Sequence, residues 1–298
     1  MENQIRATIP EHLCDLLYDA KTGEVLLVTS SGIYLQFGRQ ILLLCDDGWG
    51  ILPIGIGVQN FSHAVSCLRP QQGQLVTAGE DSLIFPSGIV RLTAKQPQRG
   101  AATDCLPQLP DIRQAAEELA ALGKERGFSM LVKPLVLGCS VDDAVQKNPY
   151  CALAHTQLGR LVAAFGNRDG KKLCRCVEKL LGLGQGLTPS ADDILLGMLY
   201  LFRALPAQRP ELAELFQETI GQHCDQRTNQ ISAAYLKAVI AGAPFERMES
   251  VYRGLCGQET LDIAQLTQIG SSSGSEMLLG MLIGLRLCGY DITQKENT

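Results

Sequence analysis

The helical part of the fold is decided by the stretch GLGQGLTPSADDILLGMLYLFR, which runs from Gly182 to Arg203. A shorter counterpart, GSSSGSEMLLGMLIGLR, runs from Gly270 to Arg286. In both stretches glycine and hydroxyl residues lead into an apolar run that ends at an arginine. Each run is well short of the roughly 18 residues that a membrane span needs, so both predict buried helices of a globular protein.

The two stretches align at a constant offset, with Thr188–Leu199 on Ser271–Leu282. The alignment pairs two acids and repeats the string LLGML without change. Glycine within each run removes side-chain bulk and would let the two helices pack closely. We therefore predict a pseudo-symmetric helix pair whose N-termini face one pocket. The alternative is a coincidence between two apolar helices with good caps.

Glycines before a helix N-terminus leave backbone N–H groups open to an anion, and hydroxyls add further donors. We expect the two loops to bind substrate through Gly186, Thr188, Ser190, Asp192, Asp193, Ser271, Ser272, Ser273, Gly274 and Glu276. The hydroxyls and amides suit a carboxylate, amide or phosphate, whereas the carboxylates suit Mg²⁺ or a substrate amine. The alternative is that Thr188 is only an N-cap, followed by Pro189 in the first helical position.

The rest of the chain predicts an α+β protein with a β-rich domain at 1–106 and a helical domain at 107–298. Short apolar runs separated by turns indicate a sheet or small barrel in the first part, with strands at Glu24–Thr29, Gly32–Phe37, Gln40–Cys45, Leu75–Thr77, Ser82–Phe85 and Ile89–Thr93. Helical periodicity follows a proline-rich stretch and predicts helices at 111–122, 149–166, 171–181, 190–205, 210–222, 228–241, 245–255 and 275–287.

A basic loop, Lys95–Arg99, ends the β-rich part. An arginine fork suits a carboxylate or phosphate, so we expect Lys95 and Arg99 to bind anions together with the two loops. The alternative is a solvated surface turn.

Composition narrows the function classes. The formal net charge is −5, which argues against a nucleic-acid partner. The eleven cysteines form no C-x-x-C motif and the N-terminus has no apolar signal segment, so we expect a cytoplasmic protein without disulfides. The four histidines have no metal-ligand spacing and no catalytic triad is readable, so no catalytic residue is predicted. No cofactor is implied, although Mg²⁺ would suit the acids.

Three motifs carry a resemblance to a known family: GLTPSxDDxLxG at Gly186–Gly197, KQPQR at Lys95–Arg99, and a divergent form of GHTSGAD at Gly270–Glu276. The chain resembles a bacterial family described as a domain of unknown function and provisionally named as carboxylases. This family includes the oxamate carbamoyltransferase subunit of allantoin degradation that is encoded beside FdrA. In the third motif Ser271 stands where the family has histidine, which implies a different substrate or a lost step.

The resemblance implies a subunit of an oxamate carbamoyltransferase-like complex in allantoin or purine catabolism, which converts oxalurate and phosphate to oxamate and carbamoyl phosphate. It also implies a small anionic metabolite and FdrA-like partner subunits. Three other functions remain open: a carboxylase-like or acyl-transfer accessory enzyme, a non-catalytic scaffold subunit that binds a metabolite, and a small-molecule sensor, against which the absence of a DNA-binding motif argues.

Overall fold

The computed structural model of the chain describes residues 4–19, 21–96, 105–122, 127–205 and 209–293. The chain divides into two compact units. Unit 1 comprises residues 1–99 together with 241–247, and unit 2 comprises residues 100–240 together with 248–298.

Unit 1 is a closed barrel with the strand order β1-β5-β4-β3-β2-β6-β7-β8. The strands are β1 (Gln4–Pro10), β2 (Thr22–Val28), β3 (Gly32–Phe37), β4 (Gln40–Asp46), β5 (Gly55–Val58), β6 (Leu75–Ala78), β7 (Ser82–Phe85) and β8 (Gly88–Lys95). Two helices accompany them, α1 (Glu11–Asp19) and α2 (Phe61–Leu68). Buried apolar side chains from the strands, such as Val25, Leu35 and Leu44, form a core with the two helices.

The barrel combines hairpins with two parallel pairs. Tight turns join β2 to β3 and β3 to β4 in antiparallel register, as the short polar turns predict. The barrel closes because β1 pairs in parallel with β8. The second parallel pair is β4 with β5. The expected sheet or small barrel is thus a barrel without a free edge.

Unit 2 is helical, which confirms the α+β fold class with its β part first. Its helices are α3 (Leu109–Leu122), α4 (Val132–Leu135), α5 (Asp143–Lys147), α6 (Pro149–Gly166), α7 (Gly170–Leu180), α8 (Ser190–Ala204), α9 (Pro210–Arg227), α10 (Gln230–Ile240), α11 (Glu246–Leu255, whose first two residues belong to unit 1), α12 (Ala264–Thr267) and α13 (Ser273–Leu287). Asn148 caps α6 by accepting from the amides of Tyr150 and Cys151, and Pro149 occupies its first turn.

Helices α8 and α13 lie at the centre of unit 2, and most of their residues are buried. They cross where each contributes a glycine. A Cβ atom at Gly197 would overlap the carbonyl oxygen of Met277, and one at Gly280 would overlap that of Ile194. The sequence repeat pairs Gly197 with Gly280 and Ile194 with Met277, so the second contact is the first with the two helices exchanged. The crossing is therefore pseudo-two-fold symmetric, as the repeat predicts.

Within the residues that the structure describes, no helix is both long enough and apolar enough to cross a membrane.

Candidate functional site

The two hydroxyl-rich loops meet at the N-terminal ends of α8 and α13. The Oγ1 atom of Thr188 lies 3.0 Å from the Oγ atom of Ser273. The prediction that the loops lie together at adjacent helix N-termini is confirmed.

Each loop supplies one buried carboxyl group that binds hydroxyls from both loops. Asp193 Oδ2 accepts from Thr188 Oγ1 at 3.0 Å, and the Ser273 hydroxyl also hydrogen-bonds this carboxyl. Glu276 Oε2 accepts from Ser272 Oγ at 3.1 Å, and the Ser190 hydroxyl also bonds this carboxyl. The sequence repeat is thus reflected in the hydrogen bonds as well as in the helices, because each acid bonds one hydroxyl of its own loop and one of the other loop.

Burial raises the pKa of both acids. Asp193 is 2% exposed and Glu276 is 0% exposed. Burial is the main cause that raises the pKa of Asp193 well above its ordinary value, and the charge of Glu276 raises it further. Burial likewise raises the pKa of Glu276, while the hydrogen bonds that it accepts oppose the change.

Thr188, Ser273 and Asp193 are joined pairwise by three contacts, whereas the two hydroxyls supply only two protons. The hydrogen bonds from the two hydroxyls oppose the rise in the pKa of Asp193, and burial outweighs them. The raised pKa favours the protonated carboxyl, which would supply the third proton of a ring in which every group donates once.

The hydroxyls form an outer layer over these acids. Thr188, Ser272 and Ser273 are half-buried and Ser271 is exposed. A hydroxyl carries a single proton, and those of Thr188 and Ser272 are directed at the carboxyls beneath them. In this arrangement the two hydroxyls offer lone pairs outward. The expectation that the loop hydroxyls donate to an anion stays a prediction.

Asp192 has a different environment from its neighbour. It is 1% exposed and accepts from the Gly182 amide at 2.8 Å, from Ser232 Oγ at 2.7 Å and from the Thr228 hydroxyl. Burial raises its pKa, and these three bonds counteract the rise. Asp192 therefore connects the glycine loop and the start of α10 to α8 by hydrogen bonds. This is the arrangement of a residue that supports the loop.

The three glycines before α8 are explained by the path of their own loop. Gly182, Gly184 and Gly186 all have positive φ angles, of 77°, 128° and 103°. A Cβ atom at Gly184 would lie 2.6 Å from the Ser190 amide nitrogen, and one at Gly182 would overlap the Arg227 carbonyl. The loop needs glycine for these turns and close contacts.

The first amides of α8 are also bonded within the loop. The Ala191 amide donates to Leu183 at 2.9 Å, and the Asp192 amide donates to Pro189 at 2.8 Å. The interpretation of Thr188 as an N-cap is wrong: α8 begins at Ser190 with Pro189 as its N-cap, and the Thr188 hydroxyl binds Asp193 instead.

Two contacts of Glu276 could not be predicted from the sequence. The Phe128 amide donates to Glu276 Oε1 at 2.9 Å, so the segment before α4 closes one side of this carboxyl. Cys151 lies near the same acid, and burial together with the Glu276 charge raises the pKa of its thiol to about 12. Both residues are remote in sequence from the loops and carry no motif that would signal the contact.

Of the two cationic residues of the basic loop, the structure describes Lys95. Lys95 Nζ lies 3.8 Å from Glu246 Oε1, and both belong to unit 1. Arg99 lies outside the described residues. The anion-binding role of the basic loop stays a prediction. No group of three or more His, Cys, Asp or Glu side chains within the described ranges is placed to hold a metal ion.

Comparison with known proteins bears on the helical unit. No solved structure matches the chain. Residues 180–285 match the model of the family described as oxamate carbamoyltransferase subunit AllH. The matched segment is just over a third of the chain. The motifs indicated a resemblance to a family that includes an oxamate carbamoyltransferase subunit, and the match confirms this resemblance over residues 180–285.

Proposed function

We propose that the chain is a subunit of an oxamate carbamoyltransferase-type enzyme, with its substrate at the two joined loops. One observation carries this proposal. The matched segment, 180–285, starts just before the glycine loop and ends within α13, so it contains both loops, all of α8 and all but the last two residues of α13. The family signal and the paired site therefore occupy the same part of unit 2.

The proposed reaction converts oxalurate and phosphate to oxamate and carbamoyl phosphate. A phosphate oxygen attacks the carbamoyl carbon, the bond from that carbon to the oxamate nitrogen breaks, and the nitrogen leaves with a proton. The ureido group of oxalurate carries N–H donors, which suit the outward lone pairs of Thr188 and Ser272. The acid proton of Asp193 can reach the departing nitrogen through the Ser273 hydroxyl, which would make the ring a general-acid relay.

Partner proteins belong to this proposal. The family description speaks of a subunit, and the motif resemblance points to FdrA-like proteins as the other subunits. Ser271 stands where the family has histidine. The substrate of this chain can therefore differ from that of the family while the class of reaction stays the same.

The test is an assay in the reverse direction, from oxamate and carbamoyl phosphate, that follows phosphate release and the carbamoylated product. The chain is assayed alone and after reconstitution with the FdrA-like protein encoded by the same genome. Activity that requires both proteins is expected. The absence of product in every combination, while both proteins remain folded, would contradict the proposed reaction.

A matched pair of variants locates the site. Asp193→Asn removes the acid proton with almost no change in size, and we expect turnover to fall about 10²-fold or more. Asp225→Asn makes the same chemical change at an exposed residue of α9 that pairs with Lys237, and it should leave turnover unchanged. Equal turnover in the two variants would place the chemistry elsewhere.

A further inference from the structure

Two thiols of unit 2 contact each other away from the joined loops. The side chains of Cys105 and Cys256 are hydrogen-bonded to one another. Cys105 precedes α3, and Cys256 directly follows α11. None of the eleven cysteines, all of which lie within the described residues, is in a disulfide.

The backbones around the two thiols are held side by side. The Gln108 amide donates to the Leu255 carbonyl at 2.7 Å, and Gln108 Nε2 donates to the Cys256 carbonyl at 3.1 Å. The Tyr252 hydroxyl donates to the Cys105 carbonyl at 3.0 Å. These three bonds keep segment 105–108 against the end of α11, where the two thiols share their hydrogen bond.

The two thiols differ in access to solvent. Cys105 is half-buried, whereas Cys256 is 6% exposed. Burial is the main cause, and the neighbouring Cys105 a further one, that together raise the pKa of the Cys256 thiol to about 12. An oxidant from solvent therefore meets Cys105 first, and Cys256 is in place to react with the oxidised product.

We propose that Cys105 and Cys256 are a redox modification site, which forms a reversible disulfide on contact with a peroxide. The Cys105 sulfur attacks one peroxide oxygen, the O–O bond breaks, and a sulfenic acid and water form. The Cys256 sulfur then attacks the sulfenic sulfur, the S–O bond breaks, and a second water leaves with the remaining thiol proton. Two thiols are oxidised by two electrons and one peroxide is reduced to two waters.

The experiment treats the intact reduced protein with hydrogen peroxide, blocks the remaining thiols and maps tryptic peptides without reduction. Cleavage after arginine places Cys105 alone in peptide 100–113 and Cys256 alone in peptide 254–286. We expect these peptides joined, with a mass about 2 Da below their sum, and separated again by dithiothreitol. Mixing ¹⁴N- and ¹⁵N-labelled protein before oxidation should give no mixed pairs, because the link lies within one chain.

Variants assign the order of events. In Cys256→Ser the sulfenic acid on Cys105 has no partner, so dimedone should label peptide 100–113; in Cys105→Ser the linked peptides should be lost. Cys139→Ser is the matched control, because Cys139 is exposed, and it should leave the link unchanged. The proposal is overturned if wild-type protein oxidises at Cys139 without joining the two peptides, or if the joined peptides come from two chains.

Discussion

At the scale of single residues, Asp192 and Asp193 show how adjacent acids in one motif acquire different roles. Both are buried, and burial raises the pKa of both. Asp192 accepts from donors of its own loop and of the segment that leads into α10, whereas Asp193 shares a proton ring with Thr188 and Ser273 and lies close to Glu276. The sequence shows the pair of acids, but only their neighbours in space distinguish Asp192, where three hydrogen bonds oppose the rise in pKa, from Asp193, whose pKa is raised well above its ordinary value.

The first prediction concerns the pH dependence of stability. The folded-state pKa of Asp193 lies above the ordinary value of 3.8, so the folded protein binds more protons than the unfolded chain as pH rises past that value. The stabilisation is complete at low pH and is lost as pH rises through the folded-state pKa. Asp193→Asn stays neutral, so its free energy of unfolding should fall less between pH 5 and pH 9 on urea titration.

Glu276 and Asp192 remain in that variant, so a shallower fall is expected and not a flat profile. Asp225→Asn serves as the exposed control and should follow the wild-type profile. Parallel pH profiles for wild type and Asp193→Asn would show that Asp193 is ionised in the folded protein.

The second prediction tests the hydroxyl that joins the loops. Thr188→Val keeps the shape of the side chain but removes its bonds to Asp193 and Ser273, which leaves a buried carboxyl short of a partner. We expect a loss of about 1–3 kcal/mol in the free energy of unfolding, and a smaller loss for Thr188→Ser. Thr156→Val on α6 is the exposed control, and a loss there as large as in Thr188→Val would argue against the joined loops.

At the scale of elements, the crossing of α8 and α13 is the feature that the sequence specifies best. The repeat of LLGML predicts two similar helices, and the glycines predict that they approach closely. Asn148-Pro149 likewise predicts the start of α6 correctly. By contrast, the interpretation of Thr188 as a cap is wrong, because a hydroxyl before a helix can bind a side chain as readily as an amide.

The missed elements have physical reasons as well. The sequence patterns do not predict β1, α1, β5 and α2 in unit 1, or the short helices α4, α5 and α12 in unit 2. Parallel partners such as β1 and β8 are far apart along the chain and have no hairpin turn between them, so nothing local signals their pairing. The loop glycines were expected to open the backbone to a ligand, whereas Gly182 is explained by a contact with the distant Arg227 carbonyl and Gly184 by a contact within its own loop.

The third prediction belongs to this crossing. Gly197→Ala and Gly280→Ala each place a methyl group against a carbonyl of the other helix, so each should destabilise the protein by about 3 kcal/mol or more. Gly159→Ala is the matched control, since it lies within α6 and a Cβ atom there meets nothing within 4 Å. The control should be neutral or stabilising by up to about 1 kcal/mol. Thermal denaturation followed by circular dichroism compares all three.

Because the crossing is pseudo-symmetric, the two central variants should lose similar stability. A large loss in one and none in the other would contradict the symmetric contact.

At the scale of the whole molecule, the chain does not divide at a single point. Residues 241–247 belong to unit 1 although they come after the whole first segment of unit 2, residues 100–240. Within unit 1, Glu246 accepts from the Ile51 amide at 2.8 Å, and Arg247 Nε donates to the Trp49 carbonyl at 3.0 Å. The sequence does not indicate that the chain returns to unit 1 at residues 241–247, since Phe245–Leu255 has the pattern of an ordinary helix.

The fourth prediction uses the single tryptophan of the chain as a reporter of unit 1. Arg247 also donates to the Gly48 carbonyl at 3.0 Å, so Arg247→Ala removes two bonds from the turn that holds Trp49. We expect a shift in tryptophan emission and a loss of about 1–3 kcal/mol in the urea transition that the emission follows. Arg91→Ala, which removes an exposed ion pair with Asp81 in the same unit, should cost less than about 1 kcal/mol. Identical emission in wild type and Arg247→Ala would contradict the role of Arg247.

The imperfect symmetry of the joined loops has a consequence for recognition. Where one loop has aspartate, the other has glutamate, which is longer by one methylene, and a proline in the first loop stands where the second has serine. A metabolite with two different ends, held across a strictly two-fold site, would bind equally well in either direction. The shorter and longer acids make the two halves of the site unequal, so the metabolite that we propose to bind there would have one preferred orientation.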